Sequence, residues 1–383
     1  MTDRFAVHAV YYQDRKAALL RECVVPLAIE LSEHPAVQRV YVERHWLHGP
    51  HVRICVRAES SAIREEVERG VLPRLRAWLE QHPSTTVIEP ERYMALSHTL
   101  GTRELVRPPY EPLWKDNTVF IGEHSAREDL LGNAKVVDAT EAFYGNALRP
   151  VLAFLHAVGD NDGARLSHGM HLLTMMAASY PRGGLFPGHL SLRSHLEDYL
   201  FEQDRQGRLR AAFAQRYERV RPAVLEALGK LSADLSQGRY TGGEPLLQQW
   251  GAFFERSMAE ALELARGRHI VEDPTPLMQA AAERVNAEAQ KKWEFGDQRD
   301  YSEFHTVLRG FNFLEERVDV VEFSAYRWQL NLLYSVLTLL DISPLERWYI
   351  NYVIAESIQV LFGRTWKEHF QLLRKRYLPE AES

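Results

Sequence analysis

The chain has 383 residues, of which 45% are hydrophobic and 26% charged, and its formal net charge is −6. This length allows two or three domains, and the composition is typical of a soluble globular protein. The negative balance argues against a nucleic-acid partner, and the two cysteines argue against a disulfide framework. The start of the chain lacks a signal-peptide core and no apolar run is long enough to span a bilayer, so we expect a cytoplasmic protein with no membrane partner.

The first third of the sequence alternates between strand and helix patterns. In chain order the predicted elements are a strand at Ala6–Tyr12, a helix at Asp14–Ser32, a hairpin within Val40–Val56, a helix at Ser60–Gln81 and a strand at Thr85–Ile88. This βαββαβ order predicts an antiparallel sheet with helices on one face. Residues 89–112 read as an irregular, proline-punctuated connection, and Thr118–Ile121 follows as a fifth strand.

Helical periodicity dominates from about residue 126 onward. The predicted helices are Val136–Val158, Leu166–Ala178, Ser191–Phe201, Leu209–Ser232, Leu246–Arg266, Thr275–Trp293, Phe323–Leu340, Pro344–Phe362 and Trp366–Tyr377. The fold class predicted is therefore α+β, with an N-terminal antiparallel sheet and packed helices followed by a mainly helical region. We expect a sheet domain at 1–125, and a helical region at 126–383 that contributes the active-site pocket.

The hairpin carries an unusual concentration of basic and titratable side chains. Arg44, His45, His48, His51 and Arg53 lie within ten residues around one Gly-Pro turn. A surface that holds a polar or anionic peptide would use such residues. Two alternatives stay open: a metal site, which no nearby cysteine or carboxylate cluster completes, and strand and turn residues without a shared role.

The apolar helix Phe323–Leu340 carries one narrow polar stripe. Ser324, Arg327, Asn331 and Tyr334 are spaced at i, i+3, i+7 and i+10, so they fall on one side of the helix. A buried stripe of this kind either forms a satisfied structural network or lines a pocket that donates hydrogen bonds to a substrate.

Two further sets combine histidine with arginine. His305 and Arg309 are four residues apart, and Ser191–Glu197 contains Arg193 and His195, with Ser191 as a predicted helix N-cap. A general base beside an anion anchor and a purely structural histidine are both consistent with these patterns. No P-loop, dinucleotide fingerprint or zinc-protease motif is present, so we expect chemistry without a nucleotide or a dedicated metal site.

Four stretches in order along the chain resemble one family. The hairpin VYVERHWLHGPHVRI is similar to the R-H-W-x-x-G-P-H-x-R hairpin of lantibiotic-dehydratase C-terminal-type proteins in thiopeptide pathways, and Leu113–Val119, Leu190–Glu197 and Tyr326–Arg347 fit the same resemblance. Within that group the chain most resembles stand-alone pyridine synthases. Those enzymes join two dehydroalanines by a formal [4+2] cycloaddition, and then aromatise the ring by losing water and the leader peptide.

The resemblance implies a site built on hydroxyl donors and needing no cofactor. Tyr334 is the first choice of proton donor, with Ser324 or Tyr326 nearby, while His305 or His195 assists loss of water or of the leader carboxamide. The residues expected to bind substrate are Arg44, His51, Arg53, Trp114, Asp116, Arg193, Arg327 and Asn331. The expected partner is a leader–core precursor peptide bearing dehydroalanines and azoles, with an acidic leader that suits the hairpin or a sheet edge; a homodimer is compatible with the sequence.

Two other functions stay open at this level. The first is the glutamate-elimination lyase of a split dehydratase, in which Arg53 and His305 would act. That reading also needs a second arginine in a Glu- and Arg-rich, Gly-Gly-terminated stretch, for which residues 89–93 are a degenerate version. The second is a non-catalytic partner that only binds the leader peptide.

Overall fold

The computed structural model describes residues 3–239, 244–296, 299–310 and 320–377. An antiparallel four-stranded sheet is followed by a mainly helical region, which confirms the predicted α+β class. The strands are β1 (Asp3–Val10), β2 (Val37–His45), β3 (His51–Ala58) and β4 (Thr118–Glu123). The helices before and beside the sheet are α1 (Ala17–Leu19), a π-helical turn (Leu20–Val24), α2 (Val25–Ser32), α3 (Ala62–Gln81), α4 (Pro90–Glu104), α5 (Glu128–Leu131) and α6 (Ala134–Val158).

The remaining helices make up most of the second half of the chain. They are α7 (Asp162–Ala178), α8 (Leu185–Gln203), α9 (Arg208–Ser236), α10 (Pro245–Arg266), α11 (Thr275–Ala282), α12 (Ala287–Lys292), α13 (Glu303–Arg309), α14 (Val320–Leu339), α15 (Pro344–Leu361) and α16 (Trp366–Tyr377). Predicted helix Thr275–Trp293 is thus two helices, because Asn286 accepts a hydrogen bond from Ala289 N and caps a new start. No helix among the described residues is long and apolar enough to cross a membrane.

The strand order is β2-β3-β1-β4, with every pair antiparallel. The predicted hairpin is confirmed, and its turn uses Gly49 at φ +112°, a conformation that favours glycine. The predicted strand at Thr85–Ile88 is wrong. Ser84 N donates to the Asn117 side chain and Thr86 bonds Gln13, so this segment is held by side chains and joins no ladder.

The segment predicted as irregular contains α4, and this prediction is also wrong. Pro90 occupies the first turn of α4, where the missing N–H costs nothing and the fixed φ favours the helix. Gly101, on its buried side, lies against the Tyr110 hydroxyl, where a side chain would not fit. Proline here starts a helix and does not break one.

The two faces of the sheet differ in chemistry. Alternate residues place one apolar set on the face that α2 and α3 cover: Phe5, Val7, Ala9, Val40, Val42, Val52, Ile54, Val56 and Val119. The opposite set, which we call the polar face, consists of Tyr41, Glu43 and His45 on β2, His51, Arg53, Cys55 and Arg57 on β3, His8 on β1 and Phe120 on β4. Helix α6 packs against part of the polar face, so helices lie on both sides of the sheet.

The chain forms two compact units that are discontinuous in sequence, whereas the predicted division used two continuous ranges. The first unit comprises the chain up to Asn161, Arg266–Gly296 and Asn331–Asp341. The second comprises Asp162–Ala265, the chain from Asp297 to Leu330, and the chain from Ile342 onward. In the second unit α8 packs against α7, α13 and α15. Helix α8 begins at Leu185, so Ser191 is not its N-cap and Ser194 lies in its interior.

Candidate active site

The centre of the polar face carries an ion pair between two strands. Arg53 Nε lies 2.8 Å from Glu43 Oε2, and the two side chains keep 19% and 26% of their exposure although β3 is an inner strand. Burial opposes ionisation of Glu43, but the adjacent Arg53 guanidinium outweighs it and lowers the pKa of the carboxyl. Arg53 is therefore a neutralised cation on a part of the sheet that helices do not fully cover.

A cluster of aromatic rings adjoins this pair. The ring of His51 lies 5.1 Å from His8, 5.5 Å from His45 and 5.0 Å from Trp114, centre to centre. We call these four residues the hairpin cluster. The pKa of His8 is lowered to about 3, mainly by burial and then by the positive charge of Arg53. Burial also lowers the pKa values of His45 and His51 well below the usual value.

His51 is only 1% exposed, and its Nδ1 donates to Gly49 O at 2.9 Å. Because a carbonyl oxygen only accepts, the neutral ring leaves Nε2 without a proton, and no described residue forms a hydrogen bond with that buried atom. This environment does not support the predicted role of His51 in holding an anionic peptide. Within the described chain, no group of three or more His, Cys, Asp or Glu side chains is arranged to hold a metal ion.

Other predicted binding residues near the hairpin are engaged in the fold of the first unit. Arg44 lies on the opposite sheet face from Arg53 and donates to Asp341 Oδ1, Thr338 O and Asp14 O. Asp116 accepts the Tyr12 N–H at 2.8 Å, and Trp114 N donates to His48 O. These contacts fix the loop before β4. Of Arg44, Asp116 and Trp114, it is Trp114 that lies beside His8 and His51 in the hairpin cluster.

Both cysteines are buried. Cys55 Sγ on the polar face lies 3.7 Å from Glu43 Oε2, and burial raises the pKa of its thiol well above the usual value. Cys23 precedes α2, and burial raises the pKa of its thiol to about 11. The two thiols are therefore protonated and inaccessible near neutral pH.

Helix α14 carries five of the predicted residues, and they differ in exposure. Ser324 is 1% exposed, and its Oγ has no hydrogen-bond partner among the described residues. Tyr326 is fully buried and donates to Gly188 O at 2.9 Å. Both positions are packed in the core of the second unit, which does not support contact with a substrate. Arg327 is half-buried beside the Phe323 ring.

The later part of α14 belongs to the first unit and is more open. Asn331 and Ser335 are exposed one turn apart, and Tyr334 lies between them, largely buried. Ser335 also hydrogen-bonds the Tyr144 side chain on α6, and burial raises the pKa of Tyr144. The open stripe of this helix therefore runs through Asn331 and Ser335, and the largely buried Tyr334 immediately precedes Ser335 in the helix.

The second unit contains a chain of hydroxyl and imidazole groups. His305 Nδ1 lies 2.7 Å from Ser302 Oγ, and His305 Nε2 lies 2.9 Å from Ser194 Oγ. Burial lowers the pKa of His305, but the charges of Asp198 and Glu197 oppose that shift. His305 is thus a neutral base whose two ring nitrogens each meet a hydroxyl.

His195 lies in the same region. Burial lowers its pKa to about 4, and the charges of Arg347, His305 and Arg327 add to this effect. The structure therefore groups His195, His305 and Arg327 in the second unit. Predicted Arg193 is different: it is buried and pairs with Glu356 at 2.6 Å and Glu197 at 3.3 Å, so its guanidinium is part of the α8–α15 packing.

Sequence reasoning did not assign roles to Glu43, Tyr144, Ser194 or Ser302. Ser302 had a readable signal, because a serine three residues before His305 at a helix start is an N-cap pattern. Glu43 had one too, since it alternates with Tyr41 and His45 on β2. Tyr144 and Ser194 acquire their partners only through tertiary packing, which no local pattern reports.

Comparison with known proteins places the chain in a family. No curated protein sequence matches it. Among solved structures it is similar to "Pyridine synthase, TbtD, from thiomuracin biosynthesis", with a TM-score of 0.65 and 21% identity over 94% of this chain and 99% of that one. It is also similar to TsrL, with a TM-score of 0.65 and 18% identity over 100% of both chains. The family described as "Lantibiotic biosynthesis dehydratase C-term" matches residues 5–374, and the chain therefore belongs to that family.

Proposed function

We propose that this protein is a cofactor-independent pyridine synthase of thiopeptide biosynthesis. It would form the central pyridine ring by a formal [4+2] cycloaddition of two dehydroalanines, with loss of water and of the leader peptide. The observation that carries the proposal is the structural similarity to pyridine synthase TbtD. This similarity extends over 99% of that chain and is not limited to a single domain. The family match over residues 5–374 adds a second support.

The reaction asks mainly for positioning. Two alkenes of one flexible peptide must be held together, and this pre-organisation accounts for several kcal/mol of the barrier. Arg327 and Asn331 supply donors on α14 that suit peptide carbonyl groups, and both retain exposure. Their accessibility supports a role in holding the substrate amide, whereas buried Ser324 and Tyr326 are left out of the proposal.

Ring formation also requires one dehydroalanine amide to tautomerise to an azadiene. A proton donor must lie near the amide oxygen or nitrogen, and a neutral hydroxyl provides this without a strong base that would attack the alkenes. Tyr334, beside exposed Asn331 and Ser335, is the hydroxyl we assign to that step. His195 and His305, both neutral at pH 7, are assigned to the later aromatisation.

The polar face argues against glutamate elimination. That reaction needs an arginine to hold the carboxylate of a glutamyl group, and Arg53 is the candidate in this chain. Glu43 already occupies the Arg53 guanidinium at 2.7 Å, so a second carboxylate would meet an internal competitor.

The test is mass spectrometry of products from a leader–core peptide that contains two dehydroalanines and azoles. A pyridine synthase yields a macrocycle and a detached leader that ends in an amide. Glutamate loss from a glutamylated peptide, with no ring, would establish the lyase instead. Unchanged substrate mass with measurable leader affinity would establish a binding partner without catalysis.

Tyr334→Phe removes only the phenol oxygen of the proposed donor. We expect ring formation to slow by about 100-fold, the scale of a lost general acid, with leader affinity unchanged. Single-turnover rates and fluorescence anisotropy of a labelled leader measure the two effects. The matched control is Tyr217→Phe, whose hydroxyl bonds Ser357 within the second unit and has no assigned role in the reaction. A wild-type rate in Tyr334→Phe would remove Tyr334 from the mechanism.

A further inference from the structure

Resting on the proposed function, we infer that Ser194 carries protons between His305 and the substrate during expulsion of the leader peptide, and that Ser302 is the positioning residue of this relay. The relay consists of Ser194 on α8 and Ser302 and His305 at the start of α13. All three residues lie in the second unit. It assigns a catalytic role to a serine that has none in the mechanism above.

The geometry is that of a base aligned on a hydroxyl. His305 Nε2 lies 2.9 Å from Ser194 Oγ, within direct proton-transfer distance. Helices α8 and α13 pack against each other, which holds the two side chains in register. Ser194 is partly exposed, as a residue that meets a substrate must be, whereas Ser302 is buried.

Ser302 fixes the ring and its tautomer. Its Oγ accepts the His305 backbone N–H at 3.2 Å as the N-cap of α13, and the same oxygen lies 2.7 Å from His305 Nδ1. With the proton on Nδ1, the two lone pairs of Ser302 Oγ accept both N–H groups. Nε2 is then the unprotonated atom that accepts the Ser194 hydroxyl, which is the state a general base requires.

The charged surroundings allow His305 to take up a proton briefly. Asp198 and Glu197 on α8 favour the imidazolium, while Arg299 opposes it and His195 is a neutral neighbour. Arg299 is itself engaged, at 3.4 Å from Glu202 and 3.7 Å from Asp198. The acidic side chains therefore offset the cost of a transient positive charge that burial would otherwise forbid.

The step balances without an external reagent. As the ring carbon–hydrogen bond breaks, its electron pair forms the ring double bond, Ser194 Oγ takes the proton, and the Ser194 hydroxyl proton passes to His305 Nε2. The bond between the ring and the leader amide breaks, and its electron pair goes to nitrogen. Ser194 gives a proton to that nitrogen and recovers one from Nε2, so the leader leaves as a carboxamide and His305 ends neutral.

The experiment uses the full-length protein and the same dehydroalanine peptide, with ring formation and leader release followed separately by quenched-flow mass spectrometry. Ser194→Ala should slow leader release by about 100-fold and accumulate a cyclised species with the leader still attached. Ser194→Thr keeps a hydroxyl and should recover most of the rate. Ser191→Ala, one turn earlier on the same helix and partly exposed, is the matched control and should release leader at the wild-type rate.

A second readout separates a relay from a merely structural serine. In ¹⁵N-histidine NMR spectra, Ser302→Ala should shift the His305 tautomer away from the Nδ1–H form, while Ser191→Ala should not. Leader release at the wild-type rate in Ser194→Ala, or an equal loss in Ser191→Ala, would overturn the relay and leave the pyridine synthase proposal standing. A wild-type protein that forms no ring would instead overturn the proposed function itself.

Discussion

The hairpin cluster and His305 both contain neutral imidazole rings, and the two places differ in the charges that surround these rings. In the hairpin cluster, His8 is flanked by the positive charge of Arg53 and by other imidazoles. In the second unit, His305 is flanked by Asp198 and Glu197. Burial disfavours the protonated ring in both places, and at His305 the charges of Asp198 and Glu197 oppose that effect.

This difference separates a packing role from a proton-transfer role. An imidazole among cations and aromatic rings gains nothing by protonation, so the hairpin histidines behave as polar aromatic side chains that fill space. An imidazole near carboxylates, with a hydroxyl at each nitrogen, can accept and return a proton. The number of histidines in a short stretch of sequence is therefore a poorer indicator of proton transfer than the charged groups and hydroxyls that the fold places around each ring.

The largest expected effect in the hairpin region comes from removing the counter-ion of Arg53. Glu43→Gln leaves the guanidinium on the polar face without its partner at 2.7 Å. Loss of one member of a buried pair costs about 3–5 kcal/mol, and the residual exposure of this pair reduces that to about 2 kcal/mol in the free energy of unfolding. Urea denaturation at pH 7 measures the change.

The matched control is Glu30→Gln, which breaks the pair with Arg74 on the protein surface. Those side chains are 64% and 54% exposed, so the expected loss is below about 0.5 kcal/mol. Equal losses in the two variants would show that the Glu43–Arg53 pair contributes no more to stability than a surface contact.

The next effect is a pH dependence carried by the hairpin cluster. The pKa of His8 falls from 6.5 in the unfolded chain to about 3 in the folded protein, so between these values the unfolded state binds the extra proton. Stability must then decrease as pH falls, by about 1–2 kcal/mol for each such histidine between pH 6.5 and 5. His8→Phe keeps an aromatic ring beside Phe120 and should flatten the curve by that amount.

Urea unfolding at pH 8, where His8 is neutral in both states, isolates any packing loss in His8→Phe from the proton linkage. A variant whose stability falls with pH as steeply as the wild type would contradict the assignment of His8 as a buried neutral ring.

The smallest expected effect concerns the start of α13. Ser302→Ala removes the N-cap oxygen that His305 N reaches at 3.2 Å, which costs about 1 kcal/mol. Hydrogen exchange of the α13 amides should report local opening. Thr306→Ala is the control, since its hydroxyl bonds Ser302 O and its loss leaves the cap intact. Equal opening in both variants would argue that Ser302 does not cap the helix.

Much of the fold was readable from periodicity, and the failures have local causes. The hairpin and the long helices were predicted because alternation and helical spacing are properties of consecutive residues. Helix α4 is hidden in the sequence because a proline usually marks a break, whereas Pro90 sits in the first turn of the helix. The predicted strand at Thr85–Ile88 lacks a ladder partner.

The candidate site was less predictable for a different reason. The polar stripe of α14 was visible in the sequence, but the exposure of Asn331 and the burial of Ser324 depend on which neighbours cover each turn. Likewise, no spacing rule joins Ser194 to His305, which are 111 residues apart. Sequence patterns predict the helices that carry these side chains, whereas tertiary contacts determine which of the side chains are exposed and which lie next to each other.

The state of the two thiols has a consequence under the proposed function, in which the substrate carries dehydroalanines. These residues are electrophilic alkenes, and a thiolate would add to them irreversibly. Cys23 and Cys55 are both enclosed by the fold and held in the protonated form by the raised pKa of each thiol. Under the proposed reaction, the described chain thus presents no thiolate to its own substrate, and its two cysteines are protected from alkylation by the dehydroalanines.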